Sequence, residues 1–201
     1  MNSQDIDEGM QSLIKLDADI AEAYAHIGAP PPREAENSLE TLLSIIVSQQ
    51  ISRQAANSIM ANLKSVVPKI SAENLLSVAE PSLREAGLSA RKVEYAKGLA
   101  TAVSKGHLRI DKLEHSSDEE VIETITSLRG FGRWSAEIYL ILSLNRKDVF
   151  PANDLALLSA LGRLKKTDGT LKEKQARTMI EHWSPYRSIG ALFLWHYYRQ
   201  G

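Results

Sequence analysis

The fold of this chain is decided by one stretch, Leu128-Arg129-Gly130-Phe131-Gly132-Arg133-Trp134-Ser135-Ala136. Two glycines separated by one residue lie between segments of helical periodicity, which predicts a tight hairpin joining two helices. A helix that begins near Gly132 has unpaired N–H groups, and these attract a phosphate without sequence preference. Arg129 and Arg133 add positive charge beside them. A lone Gly-x-Gly is more often a plain turn between helices. The surrounding apolar pattern favours phosphate binding here.

The spacing of apolar residues is helical along almost the whole chain, which predicts an all-α protein of about ten helices without a significant sheet. The one strand-like run, residues 149–151, is short and ends in proline. Ser38, Ser52, Ser71 and Ser89 precede helical segments, and two pairs have capping-box spacing, Ser117 with Glu120 and Thr170 with Glu173. The expected helices cover residues 5–26, 39–50, 52–67, a short segment after 71, 81–87, 91–105, 117–128, 132–145, 153–164, 170–183 and 185–199.

Composition restricts the possible chemistry. The 201 residues are 43% hydrophobic and 24% charged, as in ordinary globular proteins. Because there is no cysteine, disulfides, thiolate zinc sites, iron–sulfur clusters and a cysteine nucleophile are excluded. The five histidines lack metal-ligand spacing, and no Walker-type loop is present. The N-terminus is unlike a signal peptide and no apolar run reaches membrane-spanning length, so we expect a cytoplasmic or nucleoid-associated protein without membrane contact.

The charge is distributed unevenly along the chain. Residues 1–40 carry a net charge of −7, and since the whole chain carries −1, the remainder carries +6. Such a basic body can present a cationic face to phosphates. On charge alone, an ordinary solvated surface remains the simpler interpretation.

Asp154 is the candidate catalytic carboxylate, because it lies at the expected start of the next helix after the hairpin helix. A carboxylate can stabilise a cationic sugar transition state or orient a water molecule. A helix cap is the structural alternative, since Asp and Asn commonly fill that position. We expect Asn153 to provide the cap, which leaves Asp154 for another task.

Aromatic and amide side chains provide the remaining candidates. Seven Trp and Tyr residues follow the start of the hairpin, and we expect Trp134, Trp195 and Tyr139 to line a pocket for an extruded base. Core packing is the alternative, and it must hold for several of the seven. Gln49 and Gln50 lie where one apolar helix ends and the next begins. Such an amide can enter a groove, or it can simply cap a helix end.

Four blocks in order resemble the helix-hairpin-helix DNA glycosylase superfamily, and in particular its alkylation-repair branch of the DNA-3-methyladenine glycosylase II type. The blocks are the hairpin, Lys147–Leu155, Ile46–Ser52 and Trp183–Ser188. Together they extend over most of the chain, from about residue 38 to residue 198. Four ordered blocks are far more specific than any one of them alone.

The resemblance implies a role for each site residue. Asp154 falls on the catalytic aspartate, and Gln50 falls on the residue that wedges into the duplex. The remaining positions form three groups: Gly130, Gly132, Arg133 and Ser135 for DNA binding; Gln49, Trp134, Tyr139 and Trp195 for the base pocket; and the backbone carbonyls of Thr126, Leu128 and Phe131 for a monovalent cation. The resemblance therefore allows a structural Na⁺ or K⁺ at the hairpin. It implies no required cofactor.

Departures from the family pattern restrict the activity and the domain composition that we expect. Trp134 stands where bifunctional members carry the lysine of the lyase step, so a Schiff base is not expected. Residues 1–37 are too short and too helical for the extra N-terminal β-domain of some relatives, which points to the compact form. Arg129 replaces the usual proline of the hairpin, and Gln50 replaces the leucine wedge of some relatives.

We expect one compact fold over residues 1–201 with two intimate lobes. One lobe comprises about 38–110 with part of the termini, and the other comprises about 111–200 and carries the hairpin and Asp154. The resemblance implies a monomeric, monofunctional glycosylase that flips an alkylated purine out of damaged double-stranded DNA and leaves an abasic site. The alternatives are a catalytically silent helix-hairpin-helix DNA-binding module and a glycosylase for deaminated or etheno bases.

Overall fold

The computed structural model describes residues 1–169 and 171–200. These residues form thirteen α-helices and one 3-10 helix and contain no strand, so the predicted all-α class is confirmed. The elements are α1 Ser3–Leu16, α2 Ala18–Ile27, α3 Leu39–Ser48, α4 Arg53–Val66, α5 Ala72–Ser77, α6 Glu80–Glu85, α7 Ala90–Ser104, α8 Ile110–Leu113, α9 Asp118–Thr126, α10 Arg133–Leu142, α11 Leu155–Leu164, α12 Glu173–Met179, the 3-10 helix Glu181–Trp183, and α13 Arg187–Gln200.

The chain divides into two compact units. The terminal unit combines Met1–Glu34 with Leu140–Gly201, and the central unit is Ala35–Tyr139. This boundary differs from the expected one near residue 110, because the hairpin packs on α7 and therefore belongs to the central unit, whereas Asp154 belongs to the terminal unit.

The terminal unit is built on α11 and α13, with α1 and α2 packed beside them. Residues 5–26 were expected as one helix, and the structure shows two, because Asp17 takes an extended conformation between α1 and α2. The Asp17 side chain accepts from the backbone N–H groups of Asp19 and Ile20 and so caps α2. A short acidic side chain that bonds the neighbouring backbone competes with continuation of the helix, and at Asp17 it ends α1.

The buried carboxylate of Asp17 also organises the interior of the terminal unit. It accepts from Lys165 Nζ at 2.7 Å and from Trp183 Nε1 at 2.7 Å, and it lies 3.0 Å from His182 Nε2. Burial alone raises the pKa of Asp17, but the bonds from Lys165 and Trp183 more than offset it, so the pKa lies below its ordinary value. This network links the α1–α2 junction to the end of α11 and to the 3-10 helix.

The central unit is built on α7, which packs against α5 and α3. The predicted serine caps are confirmed, and the Ser117–Glu120 capping box forms at α9. The predicted cap at Thr170 lies outside the described residues. None of the helices in the described part of the chain is long and apolar enough to cross a membrane.

Candidate active site

The hairpin joins α9 to α10 through residues 127–132, as predicted. Phe131 N–H donates to the Leu128 carbonyl at 3.1 Å, which closes the turn. Gly130 has φ +96°, and a Cβ there would lie 2.3 Å from Cγ of Tyr95 on α7. Gly130 is therefore required by both torsion and packing.

Gly132 differs from Gly130, because only Gly130 adopts a left-handed torsion. A Cβ at Gly132 would meet no atom within 4 Å, and its φ is not in the left-handed region. Gly132 is exposed at the start of α10, where the helix leaves backbone N–H groups unpaired. The Gly132 carbonyl accepts from Ala136 N–H at 3.2 Å, so Gly132 takes the N-cap position of α10, where glycine is favoured over alanine.

The charged and polar groups of the hairpin are already engaged within the central unit. Arg133 Nε donates to Glu137 Oε1 at 3.0 Å, and Arg129 forms an ion pair with Glu94. The Ser135 side chain is 1% exposed, so its hydroxyl does not reach solvent. The predicted DNA contact of Ser135 is corrected on this point, because its buried hydroxyl is not available to a phosphate, whereas the Arg133 side chain is exposed.

Gln49 supports the hairpin rather than facing an open pocket. Its Nε2 donates to the Gly130 carbonyl at 2.8 Å and to Ser135 Oγ at 3.3 Å. Of the two sequence-based interpretations, a groove-entering amide and a structural amide, the second describes Gln49 in this structure. The contact joins the end of α3 to the hairpin within one unit.

Gln50, the predicted wedge, lies at the junction between α3 and α4. It is exposed, lies just beyond the end of α3, and adopts φ +59°, which is uncommon for a residue with a side chain. Ile51, the next residue, is also exposed. The α3–α4 junction thus presents a polar and an apolar side chain at its tip.

The aromatic candidates fall into different environments. Tyr139 is fully buried and its hydroxyl donates to Asn37 Oδ1, so its assignment to an open base pocket is wrong in this structure. Burial also raises the pKa of Tyr139 above its ordinary value. Trp195 is 8% exposed, and the Arg33 guanidinium lies over its ring, 5.1 Å from the centroid. Trp134 is half-buried on α10.

Asp154 is itself the N-cap of α11, so the expectation that Asn153 caps this helix is wrong. Asp154 Oδ1 accepts from Leu157 N–H at 3.0 Å, which fixes the orientation of the carboxylate. An ionised carboxylate has about four lone-pair sites, and the cap uses one of them. Capping and a chemical role are therefore compatible in the same side chain. Leu155 beside it is 78% exposed.

The segment before Asp154 is anchored by the start of α13, a function that the sequence did not indicate. Arg187 binds Asp148 through Nε and Nη2 at 2.7 Å each, and Ser188 Oγ accepts from Val149 N–H at 2.8 Å. Burial opposes ionisation of Asp148, but the bonds from Arg187 and Ser184 prevail and hold its pKa below the ordinary value. The block Trp183–Ser188 thus holds the segment that carries Asp154.

The backbone carbonyls named for a cation lie around the hairpin turn. In the described ranges, no backbone N–H donates to the carbonyls of Thr126 and Phe131, whereas the Leu128 carbonyl accepts from Phe131. Backbone carbonyls suit hard monovalent cations, and two of these three accept from no backbone N–H of residues 1–169 and 171–200. No cluster of three or more His, Asp or Glu side chains that suits a metal ion occurs among the described residues.

The family described as HhH-GPD superfamily base excision DNA repair protein matches residues 43–185, and the chain belongs to this family. The family resemblance inferred from the four sequence blocks is confirmed.

Two similar proteins of known name come from yeasts. The chain is 31% identical over 197 residues to DNA-3-methyladenine glycosylase 1 of Schizosaccharomyces pombe, covering 94% of this chain and 82% of that protein. It is 32% identical to the DNA-3-methyladenine glycosylase of Saccharomyces cerevisiae, covering 82% of this chain and 68% of that protein.

Solved structures agree with these relatives. The S. pombe 3-methyladenine DNA glycosylase in complex with abasic DNA superposes with a TM-score of 0.87 at 30% identity, covering 94% of this chain and 95% of that chain. A DNA-3-methyladenine glycosidase from Bacillus halodurans gives a TM-score of 0.79 at 29% identity, covering 93% and 87%.

Proposed function

We propose that this protein is a monofunctional DNA glycosylase of base excision repair that hydrolyses the N-glycosidic bond of alkylated purines and leaves an abasic site. The observation that carries the proposal is the match over 94% of the chain to a 3-methyladenine DNA glycosylase bound to abasic DNA. The proposed partner is damaged double-stranded DNA, bound by a monomer in the cytoplasm or nucleoid.

The chemistry assigned to Asp154 follows from charge. Alkylation at N3 or N7 makes a purine cationic and therefore a good leaving group, so the bond breaks with positive charge developing on the sugar. The carboxylate of Asp154 stabilises that charge and directs water to the anomeric carbon. Its orientation is fixed by the bond to Leu157 N–H before substrate arrives.

The reaction ends at the abasic site because the chain lacks the amine for a lyase step. Trp134 occupies the position at which bifunctional relatives carry a lysine, and an indole forms no Schiff base. Strand scission therefore requires later alkali or another enzyme.

Stacking is assigned to Trp134 and Trp195, whose ring faces attract a cationic base. The Arg33 guanidinium already lies over the Trp195 ring. A cationic purine that stacks on the Trp195 ring displaces the Arg33 guanidinium. The ring therefore faces a cation both in the free protein and in the DNA complex. Tyr139 takes no part, because it is fully buried.

The hairpin is assigned to the phosphate backbone, and its two glycines separate folding from DNA binding. Gly130→Ala is expected to lower the free energy of unfolding by about 1–3 kcal/mol, because the new Cβ collides with the Tyr95 ring. Gly132→Ala is expected to cost about 1 kcal/mol or less, because its Cβ meets open space and only the preference of the N-cap for glycine over alanine is lost. Thermal or urea unfolding measures both.

The affinity of Gly132→Ala for duplex DNA tests whether the exposed Gly132 contacts the DNA. Gly132→Ala is expected to weaken binding to a short duplex by roughly 10-fold, because the Cβ stands where the backbone approaches a phosphate. Unchanged affinity in this stable variant would remove the hairpin backbone from the DNA contact.

A monovalent cation at the carbonyls of Thr126, Leu128 and Phe131 is proposed as a structural aid to the hairpin. When bound, such an ion adds positive charge beside the phosphate. Replacing K⁺ and Na⁺ by choline at constant ionic strength is expected to weaken duplex binding several-fold. Equal affinity in choline would contradict the proposed ion.

Two other functions remain as competitors. A silent DNA-binding module predicts duplex affinity without base release, and a glycosylase for deaminated or etheno bases predicts a different lesion preference. Release should be compared on duplexes carrying 7-methylguanine, hypoxanthine and ethenoadenine, together with methylated genomic DNA as a source of 3-methyladenine. Preferential release of the methylated bases is expected, and preferential release of hypoxanthine or ethenoadenine would overturn the alkylpurine assignment.

A further inference from the structure

Lys92, on the first turn of α7, holds the end of α3. Its Nζ donates to the Val47 carbonyl at 2.7 Å and to the Gln49 carbonyl at 2.8 Å. These carbonyls belong to the group that a helix leaves unpaired at its C-terminus, and an amine satisfies them. The amine is partly buried, and this burial lowers the pKa of Lys92 below its ordinary value.

The residue held in place by this contact is Gln50. It comes directly after Gln49, is exposed, and adopts φ +59°. A left-handed conformation in a residue with a side chain persists only where the surroundings enforce it. Lys92 fixes the carbonyl of the preceding residue and so fixes the peptide from which Gln50 projects.

The same helix also supports the hairpin. Tyr95, three residues after Lys92, lies against Gly130, and Glu94 pairs with Arg129. The Gln49 amide completes the connection by donating to the Gly130 carbonyl at 2.8 Å. One turn of α7 therefore supports both the α3–α4 junction and the hairpin.

We propose that Lys92 is a positioning residue for base extrusion, which holds the Gln50 tip in fixed register with the phosphate-binding hairpin. The inference rests on the proposed function, because it assigns a purpose to the wedge of that reaction. Lys92 touches neither base nor sugar, and acts through the backbone at residues 47–50.

The chain contains a matched control on the same helix. Lys97 Nζ donates to the carbonyls of Leu76 and Val78, at 2.9 and 2.5 Å, and so holds the end of α5 in the same chemical manner. The end of α5 leads into α6 and lies outside the wedge junction. Lys92→Met and Lys97→Met each remove an amine that bridges two carbonyls.

The test has two readouts on the wild type and on Lys92→Met, Lys92→Arg and Lys97→Met. Hydrogen exchange in the free protein is expected to rise about 10-fold at Ser48 and Gln49 in Lys92→Met and not in Lys97→Met, because these N–H groups are bonded at the end of α3. Extrusion, monitored by 2-aminopurine fluorescence beside a lesion, is expected to slow by about 10-fold or more in Lys92→Met only. Affinity for undamaged duplex is expected to stay equal, and Lys92→Arg should restore most of the extrusion rate.

The outcomes separate this inference from the proposed function. Unchanged exchange at Ser48 and Gln49 in Lys92→Met, or equal slowing of extrusion by Lys97→Met, would overturn the role of Lys92. A wild type that extrudes no base would instead overturn the proposed function, and the exchange readout would still decide whether Lys92 orders the junction.

Discussion

Asp154→Asn is expected to lower the rate of base release by about 10²–10⁴-fold, the range found when a positioned acid–base group is lost. Asparagine is as good a helix N-cap as aspartate, and its side-chain oxygen can still accept from Leu157 N–H. The substitution therefore removes the charge while keeping α11 and the anchored segment before it. Single-turnover release from a methylated duplex, with enzyme in excess, measures the effect.

Asp154→Ala provides the comparison that separates chemistry from folding. It removes both the charge and the cap, so it should lose the same activity and also about 1 kcal/mol of the free energy of unfolding. Duplex affinity should be retained in Asp154→Asn. Wild-type release by Asp154→Asn would exclude this carboxylate as the catalyst.

Asp17→Asn is expected to lower the free energy of unfolding by about 3 kcal/mol, because it leaves Lys165 partly buried without its main counter-charge. Asp19 still contacts Lys165 at 2.8 Å, which places the loss at the lower end of the range for a broken buried pair. The cap of α2 survives, since asparagine also caps. Urea unfolding at neutral pH measures the difference.

The pH dependence of the same network has a defined sign. Because the folded-state pKa of Asp17 lies below its unfolded value of about 3.9, its contribution is fully present above that pH. It is lost as the pH falls through the folded-state value. The stability gap between wild type and Asp17→Asn should therefore close on acidification below about pH 4.

The exposed pair Lys166–Glu22 provides the control for the network. Its atoms lie 3.7 Å apart and both side chains are well exposed, so Glu22→Gln should cost at most about 1 kcal/mol. Equal losses in Glu22→Gln and Asp17→Asn would show that burial and network bonding of Asp17 contribute nothing.

Local chemistry allowed much of the fold to be predicted. Serine before an apolar helical segment predicted the caps, and the structure confirms the capping box at Ser117 and Glu120. The hairpin was predictable from two glycines between helical segments. These features depend on neighbours within a few residues, which a single sequence displays directly.

Features that depend on distant contacts were not predictable in this way. The cap that Asp17 provides for α2 is local, but its bonds to Lys165 and Trp183 join residues more than 140 positions apart. The use of Gln49 as a support requires Gly130, which is 81 residues later. Nothing in the pattern of aromatic residues distinguishes the buried Tyr139 from the half-buried Trp134, since burial is decided by the tertiary packing.

The candidate site was predictable in its residues but less so in their roles. Asp154 was expected to leave capping to Asn153, yet it performs the capping itself. The role of Arg187 as the anchor for Asp148 emerged only from the structure. Spacing shows which residues lie near a helix start, whereas side-chain orientation depends on the neighbours that each one meets.

Glycosylase activity is tested most directly by incubating the wild-type protein with methylated duplex DNA, separating free bases by chromatography and examining the strands. We predict free 3-methyladenine and 7-methylguanine, with strand breaks that appear only after alkali treatment. Breaks without alkali would contradict the monofunctional reaction. Duplex binding without any free base would contradict glycosylase activity and leave a silent DNA-binding module.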